Sequence, residues 1–148
     1  MSANTLLNNN IIDLDLDAKT KDELFNKIAK KLFDNSCLKA IDPFINEIKK
    51  QESISTTNMG NGVAMIAIAS SSVAKTSFMV IKTTSEIDWE DYNTPVNYVF
   101  LLAGIHHTVI DEYKNSLMNL SNLIYTKNFV QSINNAKKAS AMIQKLNL

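Results

Sequence analysis

The pattern of apolar and polar positions changes period along the chain, and these changes predict the order of the elements. Isoleucine and leucine alternate with aspartate over 11–17, which indicates a half-buried first strand. Apolar residues then recur at helical spacing from Thr20 to about Asp34, and Thr20 has capping-box spacing to the glutamate three residues later. Asp42, as an N-cap before Pro43, indicates a second helix that continues to about residue 52.

The middle of the chain contains short, nearly continuous apolar runs, which are typical of buried strands. We predict these strands at 63–69, 77–83 and 96–103, with a polar connection over 88–95 that carries Trp89. After a turn at 104–108, a long helix is expected to about Tyr125, followed by shorter helices at 129–134 and 136–146. Strands between helices predict an α/β fold, a three-layer-like sandwich with a central mixed sheet flanked by helices.

Length and composition limit the class of protein. The chain has 148 residues, of which 45% are hydrophobic and 20% are charged, so we expect one globular domain over 11–148 after a loose N-terminal segment, 1–10. Lysine plus arginine and aspartate plus glutamate both number 15, so the charge balance indicates no nucleic-acid partner. No apolar run approaches the length of a membrane span, and the first residues lack the pattern of a secretory signal.

Two residue types narrow the possible chemistry. The single cysteine, Cys37, excludes an intramolecular disulfide and suits a reducing cytoplasm, where we expect an inert thiol. Every basic residue is a lysine, so this chain alone cannot build the planar, bidentate phosphate clamp that arginine provides. No cysteine or histidine spacing indicates a metal site, and no cofactor is expected.

One segment carries a family resemblance. Ser53–Ala64 reads SISTTNMGNGVA, which resembles the active-site approach of the enzyme IIA family of the bacterial sugar phosphotransferase system, in its fructose/mannitol-type branch. The flanking segments LDLDAKTKDEL and TPVNYVFLLA also resemble this family, so the likeness covers nearly the whole chain. The matching residues of the central motif are Glu52, Ser55, Thr56, Gly60, Asn61, Gly62, Val63 and Ala64.

The resemblance implies a fold and a function. Members of this family take a phosphoryl group from the carrier protein HPr onto a histidine and pass it to a sugar-specific IIB domain. In this chain the phosphoryl-accepting position is Ala67, the position of the second active-site histidine is Tyr113, and the family's arginine is Gln51. An alanine offers no nucleophile and a glutamine carries no charge to offset a phosphoryl group.

Two functional hypotheses therefore stay open. The first is a degenerate IIA-like protein that binds HPr, a IIB domain or a regulator without carrying phosphate. The second is an active phosphocarrier that uses His106 or His107, the only histidines, which precede the predicted long helix. Two polar loop residues are the simpler interpretation of this pair. Neither hypothesis involves nucleic acid or direct insertion into a membrane.

Several other features have structural explanations. The binding-loop candidates Thr56, Gly60, Asn61 and Gly62 could cradle an anion, or they could form only a tight loop that enters a strand. The serine run 70–72 predicts a turn rather than a hydroxyl nucleophile. Asp111 and Glu112 are expected to complement the positive end of the long helix.

Overall fold

The computed structural model describes residues 10–90 and 94–146, in which five strands form one mixed sheet. The spatial order is β1-β4-β5-β3-β2, with β1 parallel to β4, β3 parallel to β5, and the β4–β5 and β2–β3 pairs antiparallel. The strands are β1 (Asn10–Leu16), β2 (Asn58–Gly60), β3 (Val63–Ala69), β4 (Ser77–Ile87) and β5 (Val96–Gly104).

Helices cover both faces of this sheet. They are α1 (Lys21–Asp34), α2 (Ile41–Ile54), α3 (His107–Glu112), α4 (Lys114–Ile124), α5 (Phe129–Asn134) and α6 (Ala139–Leu146). The first two pack on one face in a core that includes Trp89, and α4, α5 and α6 pack on the other in a core that includes Tyr98. The predicted α/β sandwich with a central mixed sheet is confirmed.

One hydrogen bond at Thr20 and another at Tyr98 stabilise the helices on the two faces of the sheet. Thr20 is the N-cap of α1, and its hydroxyl accepts the Glu23 amide over 3.1 Å, as the capping-box spacing predicts. On the other face, the fully buried Tyr98 donates its hydroxyl to the Asn134 side chain, which connects β5 to α5. Burial raises the pKa of Tyr98 to about 12.

The predicted long helix is divided in the structure, which corrects two expectations. The amide of Tyr113 bonds to the carbonyl of Ile110, three residues back, at 3.1 Å, so α3 ends there and α4 starts at the next residue. Ile110 of α3 packs beside Gly104 at the end of β5, and both α3 and α4 contribute to the core around Tyr98. Asp111 and Glu112 consequently lie in the last turn of α3 and not at the start of a long helix.

Other element boundaries also differ from the prediction. Helix α2 begins at Ile41 with Ala40 as N-cap and no side-chain cap bond, so Asp42 is not the N-cap. The short strand β2 was not predicted, because three residues are too few to show a period. Strand β4 extends to Ile87, beyond its predicted end. Part of the polar connection (91–93), most of the N-terminal segment (1–9) and the last two residues lie outside the described residues.

None of the helices in the described part of the chain combines the length and the apolar character that spanning a bilayer requires.

Candidate functional site

An open groove of about 540 Å³ lies at the outer edge of β3, between α2 and α3. Its floor is formed by residues 67–69 of the strand. One wall is the C-terminal half of α2 with the residue that follows it, and the other wall is α3. The side chains that line it are Glu47, Lys50, Gln51, Ile54, Ser55, Ala67, Ile68, Ala69, His107 and Ile110.

Gly104 leaves room for the Ile110 side chain at the end of β5. A Cβ atom built on this glycine would lie 2.9 Å from Ile110 Cδ1, a distance that real Cβ contacts essentially never show. The missing side chain at the end of β5 therefore allows Ile110 to pack there and to close one side of the groove.

Gln51 and Ala67, two of the three positions that the resemblance singles out, meet in this groove. The Gln51 side-chain amide donates to the Ala67 main-chain carbonyl over 3.2 Å, which joins α2 to the edge of β3. The side chain of Gln51 thus donates its hydrogen bond to the main chain of β3. The methyl group of Ala67 supplies no nucleophile at this point.

The third position, Tyr113, lies elsewhere. Its half-buried side chain packs against the core around Tyr98, and it is not among the residues that line the groove. The histidine that does line the groove is His107, the first residue of α3. His106 is the N-cap residue of α3, and its ring Nδ1 contacts the Thr108 hydroxyl. The structure therefore separates the two histidines, because only His107 lines the groove that contains Ala67.

The glycine motif forms a hairpin turn between β2 and β3. Gly60, Asn61 and Gly62 all have positive φ, at 84°, 58° and 82°, and Asn-Gly with two positive φ values is the preferred two-residue hairpin turn. The Asn61 side chain donates to the Ile124 carbonyl over 3.3 Å, which fastens the turn to the end of α4. None of these three residues lines the groove, and together they form a tight turn that leads into β3.

Glu52 is a central residue whose role the sequence did not reveal. Its carboxylate, 6% exposed, accepts the Trp89 indole N–H at 2.8 Å, the Thr57 hydroxyl at 2.7 Å and the Thr57 amide at 3.1 Å. It also accepts the Thr56 hydroxyl at 3.2 Å, and Lys21 Nζ lies 3.8 Å away. The only sequence signal was a glutamate beside Gln51 in the family motif.

This network fixes the end of α2 from several directions. Lys21 donates to the Trp89 carbonyl at 3.1 Å and lies over the indole ring, 5.3 Å from its centroid. Phe25 packs edge-on against the same ring at 5.7 Å. Because Gln51 directly precedes Glu52, these contacts also position the groove wall.

Ser70 and Cys37, which the sequence analysis also singled out, are buried and make hydrogen bonds or contacts with nearby residues. Ser70 is buried in the predicted turn, where its hydroxyl donates to Glu47 Oε1 at 2.9 Å and accepts the Ser72 amide at 3.0 Å. Cys37 is a buried free thiol whose sulfur lies 3.5 Å from the Asn35 carbonyl. Within residues 10–90 and 94–146, no three histidine, cysteine, aspartate or glutamate side chains are grouped to hold a metal ion.

Comparison with protein-family models gives a match over most of the chain. The family model described as "Phosphoenolpyruvate-dependent sugar phosphotransferase system, EIIA 2" matches residues 5–147. No curated protein sequence matches the chain significantly. The solved structures similar to it include the nitrogen regulatory protein IIA-Ntr of Neisseria meningitidis, with a TM-score of 0.80, 21% identity, and coverage of 91% of this chain and 92% of that one.

Two solved structures of IIA mannitol from Escherichia coli are also similar to this chain. The crystal structure of IIA mannitol gives a TM-score of 0.71 at 15% identity, covering 91% of this chain and 94% of that one. The IIA mannitol chain solved in complex with phosphorylated IIB mannitol gives 0.67 at 16% identity, covering 91% and 92%. At these identities the likeness concerns the fold.

Proposed function

Because the chain belongs to the EIIA 2 family of the phosphoenolpyruvate-dependent sugar phosphotransferase system, we propose that it is a IIA-like protein that binds partners of this system without carrying phosphate. Its partners are HPr, a IIB domain or a regulator, and it works in the cytoplasm, as the family resemblance implies. The complex of a similar IIA chain with a phosphorylated IIB domain supports the choice of a IIB partner.

The contact between Gln51 and Ala67 carries this proposal. Phosphoryl transfer needs a nucleophile and a set of donors or cations that hold the phosphoryl oxygens. At the position that the resemblance assigns to the acceptor, the chain presents a methyl group, and the neighbouring amide is used on a carbonyl 3.2 Å away. The chain nevertheless has the fold of solved IIA structures and an open groove at this position, which favours binding over transfer.

A second candidate function rests on the position of His107. This residue lines the same groove as Ala67 and Lys50, so its imidazole could accept a phosphoryl group from HPr and pass it to a IIB domain. In that step His107 would attack the phosphorus, the bond to the HPr histidine would break, and the HPr imidazole would leave. His106, turned to Thr108, is the weaker candidate of the pair.

One assay distinguishes the two functions. The chain is incubated with phosphoenolpyruvate, enzyme I and HPr, and intact-mass spectrometry detects any acid-labile gain of one phosphoryl group. We expect no gain. A gain that disappears in His107→Asn and persists in the matched variant His106→Asn would establish the phosphocarrier and overturn the proposal.

A binding measurement tests whether the chain binds partners of the phosphotransferase system. Isotope-labelled chain is titrated with unphosphorylated HPr and, separately, with the Escherichia coli mannitol IIB domain, and amide shifts are followed. We expect shifts that cluster at residues lining the groove, with no covalent change. The absence of any shift with both proteins would contradict a partner-binding role in this system.

A further inference from the structure

The main chain of β3 has one side that no described strand covers beyond residue 64. The Ser70 amide bonds to the Gly104 carbonyl at 3.1 Å, so even-numbered residues of this segment point their backbone groups toward β5. The Met65 amide bonds to the Thr57 carbonyl at 3.0 Å, on the opposite side. By the same alternation, the N–H and C=O groups of residues 67 and 69 point outward, into the groove.

The neighbouring strand β2 is too short to use these groups. Its register pairs Asn58 with Ala64 and Gly60 with Val63, and it reaches no further along β3 in the described structure. At Ala67 the outward carbonyl is bound by the Gln51 side-chain amide. A side chain thus provides the hydrogen bond that a neighbouring strand would otherwise donate, which is one way to protect an edge strand.

We propose that this edge accepts an extended peptide segment of a partner protein, carrying an acidic side chain, as an additional strand. The inference rests on the proposed function, because the segment belongs to the partner that the chain binds. Strand addition at an exposed edge takes its affinity from main-chain hydrogen bonds and its specificity from pockets for alternate side chains. The incoming N–H replaces the Gln51 amide at the Ala67 carbonyl.

The shape of the groove suits an extended chain. Ala67 and Ala69 have the smallest side chains that a strand can carry apart from glycine, so the main chain of a guest can approach this edge. Helices α2 and α3 stand on either side, as walls of the groove. Ile54 is 77% exposed on one wall, an apolar surface that a bound segment would cover.

The charge of Lys50 in the groove favours a guest peptide that carries an acidic side chain. Lys50 and His107 line the groove with donors, and Lys50 makes no ion pair within residues 10–90 and 94–146. The opposing charge in the groove is Glu47, and its Oε1 already accepts the Ser70 hydroxyl at 2.9 Å. An acidic side chain on the guest would pair with Lys50, which has no ion-pair partner among the described residues, whereas a basic one would be repelled by Lys50 and would find only a carboxylate that already accepts from Ser70.

The test uses a defined peptide and the whole chain. The probe is a blocked heptapeptide, Thr-Val-Thr-Glu-Thr-Val-Thr, titrated into isotope-labelled protein while amide shifts and hydrogen exchange are followed. We expect shifts and slowed exchange at Ala67 and Ala69. The same peptide with alternate amides N-methylated should bind about tenfold more weakly, because it lacks the donors. The version with lysine for glutamate should also bind more weakly.

Matched variants of the protein test the same main-chain hydrogen bonds that the modified peptides test. Ala67→Pro removes the outward N–H and should weaken binding about tenfold, whereas Ala67→Ser keeps the N–H and should bind like the wild type. Gln51→Leu leaves the carbonyl without its side-chain donor and should bind the parent peptide about threefold more tightly. The N-methylated peptide keeps the test valid on wild-type protein if the proline variant fails to fold.

Either of two results would overturn the inference. The first is no binding of the parent peptide, or binding that maps away from β3. The second is equal binding of the parent and N-methylated peptides. Phosphorylation of His107 by HPr would instead contradict the proposed function. The peptide titration is made on unphosphorylated protein without HPr, so the two failures are distinguishable.

Discussion

Glu52 accepts the indole N–H of Trp89 over 2.8 Å, although 37 residues separate them in the chain. This bond connects the end of α2 to the segment after β4, and it does so inside a core where Trp89 is 1% exposed. The same carboxylate accepts the amide and the hydroxyl of Thr57. One buried acidic group therefore determines how the groove wall and the β2–β3 hairpin are placed relative to each other.

We predict that Glu52→Gln destabilises the fold by about 1–3 kcal/mol, because the new NH₂ group cannot accept from Thr57 and leaves a buried donor unmatched. Denaturant unfolding measures the loss, with the fluorescence of the single tryptophan as the signal. The exposed Glu86 provides the matched control Glu86→Gln, which should change little. Equal midpoints for the two variants would show that the Glu52 network adds no stability.

Phosphoryl acceptance should need more than a new histidine. We expect Ala67→His alone to accept phosphate from HPr slowly, because Gln51 stays uncharged beside it and Tyr113 lies outside the groove lining. Adding Gln51→Arg should raise the rate, since a missing transition-state contact costs about 3 kcal/mol, roughly a hundredfold in rate. Adding Tyr113→His should change little, because this position lies outside the groove lining. Rapid-quench phosphorylation measures each rate. A single variant as fast as the variant that combines Ala67→His with Gln51→Arg would refute this account.

The two turn glycines provide a matched pair. Both have a left-handed backbone, so Gly60→Ala and Gly62→Ala should each cost about 1–2 kcal/mol of stability. A Cβ at residue 60 would have open space, whereas at residue 62 it would lie 3.1 Å from Asn97 Oδ1. We therefore expect the larger loss for Gly62→Ala in urea unfolding. An Asn97→Ala background should reduce the difference, and a difference that persists there would exclude this contact as its cause.

Asp13 should make the fold sensitive to acid. Burial raises the pKa of its carboxyl, but the Lys31 hydrogen bond at 2.7 Å, the Asp15 amide and the Lys31 charge outweigh burial and hold it below its ordinary 3.8. As the pH falls, the Asp13 carboxyl of the unfolded chain takes up its proton before that of the folded chain. The stability that the charged Asp13 contributes is therefore complete above pH 3.8 and is lost as the pH falls below it.

The measurement for Asp13 is the free energy of unfolding across a series of acidic pH values. Asp13→Asn should lose less stability than the wild type as the pH falls, and it should be less stable near neutral pH. The exposed Asp42 provides the control Asp42→Asn, which should follow the wild-type curve. Parallel curves for wild type and Asp13→Asn would contradict the assignment of this acid sensitivity to Asp13.

The sequence by itself determined the sandwich and the family. Alternation over 11–17, helical spacing after Thr20 and the apolar runs of the middle strands are local patterns, and each reports which face of one element is buried. A tight loop that enters β3 was one of two interpretations of the glycine motif, because Gly60 and Gly62 tolerate positive φ, but the hairpin with β2 was not predicted. These features depend on residues close together in the chain.

Only the tertiary structure decided how the groove is built. The break at Tyr113 is invisible to periodicity, since apolar residues continue on both sides of it. It is seen only in the main-chain bond from the Tyr113 amide to the Ile110 carbonyl. The bond from Gln51 to Ala67 and that from Trp89 to Glu52 join residues 16 and 37 positions apart. Such contacts depend on how whole elements pack against each other, which no local pattern encodes.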